Sequence, residues 1–381
     1  MTKRVVHFGI IGCGLMGREF ASAVSRWCHL LDVNYIPVIT AVCDVNLDAT
    51  TWFTDHLASI EQVTDNYREL LDNKRVEAVY CAIPHHLHEQ YYLDIIRAEK
   101  HLLGEKPFGI DKQANQAIQQ AIVEHPHVLV RCSSELPFYP GALKVYDFVK
   151  EGLVGKVIDV EAGFWHSSDL NPLKPINWKR KVSTNGAYGC MGDLGLHTLH
   201  LPLRLGWKPR LLSASLSNLV EERPDHTGQA VPCETWDNAT LLCEVDSGQH
   251  TFPMVLSMKR IAPGHANTWF IRINGMLGSI EYSTQNPKQL KIMRYTAGGR
   301  QVWGTEDIEY HSAYTAITGN IFEFGFSDSI LQMWSAFCDE LVNGADMIQP
   351  FYCATPDEAA YSHELFTAVL DDVQNRISTR S

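Results

Sequence analysis

The chain has 381 residues, 45% of them hydrophobic and 20% charged, a length beyond one ordinary domain and a profile able to build large cores, so two domains are expected. Lys and Arg total 32 against 44 Asp and Glu, a formal net charge of −12. That balance excludes the basic footprint needed for nucleic-acid phosphates and disfavours anionic membrane surfaces, which leaves small-molecule chemistry. The N-terminal residues lack the apolar run and cleavage site of a signal peptide, and no segment reaches the ~20 apolar residues of a membrane span. The 10 cysteines are scattered, without a CxxC pair, as expected for thiols kept reduced in the cytoplasm.

The first third alternates strand and helix signals. Val5 to Ile11, Ile36 to Cys43, Ala78 to Ile83, His101 to Leu103 and His127 to Arg131 read as strands. Met16 to Val24, Leu87 to Glu99 and Lys112 to Val123 read as amphipathic helices between them. Strands spaced by helices predict an α/β domain over residues 1–133, a parallel sheet covered on both faces.

From residue 134 the pattern changes. A helix over Pro140 to Lys150 leads into alternating segments at Lys156 to Phe164, Leu212 to Val220 and Ala239 to Val245. Phe252 to Met258, Trp269 to Ile273 and Gln289 to Arg294 continue the series, and helices follow at Ser329 to Val342 and Pro356 to Ile377. This predicts a second α/β domain over 134–381, with a large open, meander-like, mostly antiparallel sheet. Its free face suits sheet-to-sheet association, and the C-terminal helix is a candidate to pack back on the first domain.

Gly12-Cys13-Gly14-Leu15-Met16-Gly17 follows the first strand and opens the first helix. In such a turn Gly12 permits the tight bend, Gly14 lets backbone approach a pyrophosphate, and Gly17 lets helix and strand pack. The helix N-terminus at Leu15 and Met16 offers N–H groups and positive dipole to an anion. Asp44 closes the second strand, somewhat beyond the usual ~20-residue spacing. An acid there accepts from a ribose diol and repels a 2′-phosphate, and Val45 and Asn46 supply no cation. The expected cofactor is therefore NAD rather than NADP.

Three further segments carry a resemblance. They are Ile83-Pro84-His85-His86-Leu87-His88, Gly104-Glu105-Lys106-Pro107 and Gly189-Cys190-Met191-Gly192-Asp193-Leu194-Gly195-Leu196-His197. With the glycine turn, the chain resembles the Gfo/Idh/MocA family of glucose–fructose oxidoreductase, inositol 2-dehydrogenase and relatives, over nearly its whole length. The resemblance implies a Rossmann domain followed by an open-faced α/β domain, and association into a homodimer or homotetramer. It also implies that Lys106, Asp193 and His197 are catalytic, and that Ile83, Pro84, His85, His88, Glu105 and Lys106 contact the cofactor. For His88, a structural role at the start of the following helix stays open.

The residue types suit those roles. Asp193 and His197 are spaced i, i+4, so one helical face carries both. Lys106 follows a strand's C-terminal end, the edge where open α/β sheets bind ligands. His197 has the side chain best matched to accept a hydroxyl proton near neutral pH, and Lys106 would steady an alkoxide. Lys106, Asp193 and His197, with Glu135, Trp178, Arg180 and His200, make the expected substrate set.

Two positions depart from the family pattern. His200 stands where an acid is common, and Pro137, in Glu135-Leu136-Pro137-Phe138, stands where a basic residue is common. Two histidine clusters, Asp193 with His197 and His200, and His85 with His86 and His88, have spacings compatible with a metal, but neither brings a second dedicated ligand group, and no metal is expected.

The function expected is NAD-dependent oxidation of a secondary hydroxyl on a sugar, glycoside or cyclic polyol. Two alternatives stand beside it: a redox-neutral, NAD-dependent glycosidase using His200 as an extra acid/base, and a non-catalytic sensor on the same fold.

Overall fold

The computed structural model describes residues 3–349 and 351–379. It divides into two compact units, the first made of residues 1–109, 113–138 and 310–359, the second of 110–112, 139–309 and 360–381.

In the first unit the strands are β1 (Arg4–Ile11), β2 (Tyr35–Cys43), β3 (Gln62–Thr64), β4 (Ala78–Cys81), β5 (His101–Gly104) and β6 (Val130–Cys132). The helices are α1 (Leu15–Ser25), α2 (Thr51–His56), α3 (Tyr67–Asp72), α4 (His88–Arg97) and α5 (Lys112–Glu124). The sheet order is β3-β2-β1-β4-β5-β6 and every pairing is parallel. This is the doubly wound arrangement expected, and its strand order reverses between β1 and β4. All four residues of β4 are buried, as befits a central parallel strand covered on both faces. Phe20 of α1 lies flat on Tyr80 of β4 with ring centroids 4.0 Å apart. Short β3, α2 and α3 lay below what periodicity detects, since a three-residue strand shows too little alternation.

In the second unit α6 (Pro140–Lys150) opens with proline at its first position, where the missing N–H costs nothing. Next come β7 (Val157–Trp165), α7 (Val182–Asn185), α8 (Cys190–Arg204), β8 (Pro209–Ser217), and a ribbon of β9 (Glu222–Pro224) and β10 (Ala230–Pro232). Six strands follow: β11 (Asn238–Asp246), β12 (Thr251–Lys259), β13 (Thr268–Gly275), β14 (Gly278–Ser283), β15 (Gln289–Arg294) and β16 (Gly304–Asp307). The large sheet has the order β16-β15-β14-β13-β7-β12-β11-β8. It is antiparallel except where β7 pairs parallel with β12. It is not a simple meander, because β7, the first of these strands in the chain, is inserted between β12 and β13.

The helix α9 (Phe326–Asn343) belongs to the first unit, and α10 (Pro356–Ser378) starts there and passes into the second at Ala360. A change of pattern at residue 134 carries no trace of this return. It is held by long-range pairs: Arg26 to Asp328 at 2.7 Å, the Tyr35 hydroxyl to the Ser335 carbonyl at 3.0 Å, and an antiparallel bridge between Cys132 and Ala354. No disulfide forms, and nine of the ten cysteines are buried, Cys28 being exposed. Among the described residues no helix is long and apolar enough to cross a membrane.

Within the second unit, α8 packs so closely on α10 that a Cβ on Gly195 would stand 2.1 Å from the Phe366 ring. We expect Gly195→Val to lower stability by about 2 kcal/mol through overpacking, read as a lower thermal midpoint. An unchanged midpoint would show that α10 yields freely there.

Candidate functional site

The glycine turn has the geometry its three glycines require. Gly12 has φ +95°, and a Cβ there would lie 2.2 Å from the Ala82 carbonyl oxygen at the end of β4. A Cβ on Gly17 would lie 2.2 Å from the Gly12 carbonyl oxygen. At Gly14 a Cβ would meet nothing within 4 Å; its backbone faces open space where α1 begins. The first two glycines close strand, turn and helix upon each other, and the third leaves room for a phosphate beside the N–H groups of Leu15 and Met16.

A cleft of about 240 Å³ opens at this switch point, lined by Gly12, Gly14, Asp44, Ile83, Pro84 and Tyr91 among others. The Asp44 carboxylate accepts from the Cys13 N–H at 2.8 Å and the Asn46 N–H at 2.9 Å, one bond to each oxygen. Each oxygen keeps a lone pair for a ribose hydroxyl. None of the described residues lining the cleft is basic. The turn, the cleft and the oriented acid together fit a dinucleotide. Sequence reasoning missed Tyr91, which reaches the cleft from α4.

The other expected cofactor residues divide by burial. Ile83 and Pro84 are half-buried and line the cleft. His85 and His88 are 2% and 0% exposed, with ring centroids 5.4 Å apart. His88 ties two loops together: its Nε2 lies 3.0 Å from the Ile83 carbonyl, and its Nδ1 accepts from the Gly109 N–H at 3.4 Å. A carbonyl needs a donor and an N–H needs an acceptor, so these bonds assign the neutral ring with its proton on Nε2. Of the two roles left open for His88, this geometry serves the structural one.

Glu105 lies beneath the turn that presents Lys106, with Oε1 accepting from the Tyr80 hydroxyl at 2.7 Å and its carbonyl from the Tyr92 hydroxyl at 2.8 Å. Lys106 itself is half-buried. Glu135, expected as a substrate contact, is 5% exposed and belongs to the same unit. Burial, reinforced by the negative Glu105, raises its carboxyl to about 7, against the opposing pull of its own backbone N–H and of Lys106.

In the second unit α8 is buried from Cys190 through Pro202. Gly189 caps it at φ +59°, where a Cβ would stand 2.6 Å from the Trp236 nitrogen. Asp193 and His197 occupy successive turns and are 2% and 4% exposed. Asp193 accepts from Lys179 Nζ at 2.9 and 3.1 Å and from Arg260 Nη1. Arg260 Nε also donates to Asp169 at 2.8 Å. Burial alone would raise the Asp169 carboxyl, but Arg260, seconded by Lys174, brings it down to about 2. The His197 ring meets Phe164 edge-on at 5.4 Å, and its carbonyl accepts from Trp269 Nε1 at 2.9 Å.

Two expected substrate contacts are placed differently. Arg180 is fully buried, with Nη1 2.5 Å from Asp237 and Nη2 donating to Asn218 at 3.0 Å. Its neighbour Lys179 is the cation at Asp193, with a side chain 29% exposed. In this short turn consecutive side chains diverge, and the sequence motif could not say which faced the site. Trp178 is half-buried, with Lys179 Nζ 5.5 Å from its ring centre. His200 is 0% exposed, and its Nε2 lies 3.1 Å from Arg204 Nη2 on its own helix. A guanidinium only donates, so that nitrogen is an acceptor already engaged. Arg260 and Asp169 escaped notice because nothing local connects the end of β12 to α8.

A carboxyl raised on folding holds a proton that the unfolded chain has released, so stability falls as pH rises between the two values. For Glu135 that window runs from the ordinary 4.5 to about 7, with a loss on the order of a few kcal/mol. We expect Glu135→Gln to flatten the fall in urea midpoint across this window. An unchanged slope would place the titration elsewhere.

Residues 6–131 match the family model described as the oxidoreductase family, NAD-binding Rossmann fold, and residues 142–281 match the GFO/IDH/MocA C-terminal domain. The chain is 22% identical over 298 residues to levoglucosan dehydrogenase of Pseudarthrobacter phenanthrenivorans, an alignment spanning 75% of this chain and 76% of that relative. It is 30% identical over 160 residues to an inositol 2-dehydrogenase/D-chiro-inositol 3-dehydrogenase of Shouchella clausii, over 42% of this chain and 44% of that one. Among solved structures, an oxidoreductase domain protein from Kribbella flavida superposes with a TM-score of 0.88 at 20% identity, over 99% of this chain and 98% of its own. A levoglucosan dehydrogenase complex with NADH and levoglucosan gives 0.86 at 19% identity, over 98% of both chains. At such identities the structural likeness establishes the fold.

Proposed function

Because the chain belongs to the Gfo/Idh/MocA oxidoreductase family, we propose that it oxidises a secondary hydroxyl of a sugar, glycoside or cyclic polyol with NAD. The observation that carries this reading is the pairing on α8: a histidine one turn beyond an aspartate that Arg260 and Lys179 hold in place. The names of the relatives, levoglucosan and inositol dehydrogenases, support the substrate class.

Oxidation of a secondary alcohol takes a hydride from carbon and a proton from oxygen; bound NAD supplies the hydride acceptor. Asp44 holds the adenosine ribose, and the Gly14 backbone with the start of α1 holds the pyrophosphate. The acid at that position and the absence of a cation among the described cleft residues favour NAD over NADP. His197 accepts the hydroxyl proton, and Lys106 orients that hydroxyl and stabilises its developing negative charge. Asp193 accepts from a neighbouring hydroxyl, and Lys179, rather than Arg180, presents a cation to the substrate. No observation favours the redox-neutral glycosidase, since His200, its extra acid/base, is buried against Arg204.

Two measurements test this. Asp44→Ala should weaken NAD binding and narrow its preference over NADP; an unchanged preference would mean that another residue reads the ribose. Wild-type protein mixed with NAD⁺ and a panel of polyols, anhydrosugars, free sugars and glycosides should form NADH with one class. His197→Ala should cut that turnover by ~10²- to 10⁴-fold while NAD binding stays within about twofold. A cleaved glycoside without NADH would replace the dehydrogenase reading with the redox-neutral one, and near-wild-type turnover in the variant would remove His197 as the base.

A further inference from the structure

The parallel sheet of the first unit has a second edge. The dinucleotide cleft lies where the strands end, at Gly12, Asp44 and Ile83. At the opposite edge, where β5 and β6 begin, three side chains converge. Glu99 stands between α4 and β5, and His125 and His127 stand between α5 and β6. One ligand atom from each lies within 4.8 Å of the other two, the one such group of His, Cys, Asp or Glu among the described residues. We infer that Glu99, His125 and His127 form a binding site for a divalent transition-metal ion, with Zn²⁺ as the ion suited to the donor set.

The chemistry supports this. Two imidazoles and one carboxylate are borderline donors that zinc accepts, and three protein ligands with an open fourth position form a recurrent arrangement. Bonds of about 2.0 to 2.1 Å in a tetrahedron place neighbouring ligand atoms ~3.3 Å apart. His127 Nε2 and Glu99 Oε1 already stand 3.5 Å apart. His125 has to close the remaining distance, and Glu99 and His127 are exposed while His125 is half-buried, so side-chain rotation suffices.

The backbone on both sides is fixed. The Val128 N–H donates to the His125 carbonyl at 3.0 Å, closing a tight turn around Pro126 that projects both histidines. Glu99 ends α4 with φ +58°, a left-handed position usually taken by Gly or Asn. Its N–H donates to the Ile96 carbonyl at 2.9 Å. His101 next to them is not available as a ligand through Nδ1, which accepts from the Leu129 N–H at 2.9 Å. An ion at this site would cross-link the end of α4 to the α5–β6 turn, far along the sheet from the cofactor cleft, and so would bind without competing with NAD.

The full chain, freed of metal with a chelator and carrying Cys28→Ser to remove its exposed thiol, tests the site. Titration with Zn²⁺ should show one equivalent bound and a raised thermal midpoint. Co²⁺ in its place should give the visible absorption of a low-symmetry, nitrogen- and oxygen-ligated ion. His125→Ala with His127→Ala should weaken Zn²⁺ by about 100-fold or more, and Glu99→Gln by less, with NAD binding unchanged as evidence of folding. Absence of a one-equivalent phase, or a phase that survives the double histidine variant, would overturn the assignment. Neither result depends on the enzymatic reading.

Discussion

One guanidinium organises the second unit. Arg260, at the end of β12, is 6% exposed and shared between Asp169 and Asp193. A buried aspartate is tolerated only when its charge is answered, and removing one partner of such a pair leaves the other costly and unpaired. Arg260 therefore couples the last strand of a hairpin, the loop after β7 and the first turn of α8 into one object. His197 rides on the next turn of that helix, so its position follows from the same constraint. Lys179 completes the charge balance from the side that solvent reaches.

The first unit rests on contact rather than charge. Gly12 and Gly17 allow α1 to begin in van der Waals contact with the end of β1 and with the Ala82 carbonyl. Every residue with a Cβ would push those elements apart. The close approach brings the ends of β1, β2 and β4 around a single cleft, and the Cys13 N–H then orients the Asp44 carboxylate within it. Below the neighbouring turn, His88 and Tyr92 fasten the backbone that carries Glu105 and Lys106. Burial in the same packed region, reinforced by the negative Glu105, raises the Glu135 carboxyl.

Much of this was readable from the chain alone. The glycine turn with a strand before it, a helix after it and an acid at the end of β2 announces a dinucleotide fold, since each residue meets a local steric or electrostatic demand. The i, i+4 spacing of Asp193 and His197 likewise announces a shared face, because helical geometry is local. The regular strands of the second sheet show in their alternation for the same reason.

What needed the tertiary structure depends on distance or direction. Lys179 and Arg180 are adjacent and chemically alike, yet one reaches Asp193 and the other is buried against Asp237; only the path of the surrounding chain separates them. The spacing of His200 along α8 does not reveal its burial against Arg204, which depends on the packed chain. The return of α9 to the first unit, the place of β7 inside the sheet, and the meeting of Glu99 with His125 and His127 all join residues far apart in sequence. By itself the sequence determined the local devices, namely the turn, the helical face and the alternating strands, because neighbouring residues set them. The tertiary structure decided which charges are spent inside the fold and which are left to act, because burial and pairing are properties of the packed chain.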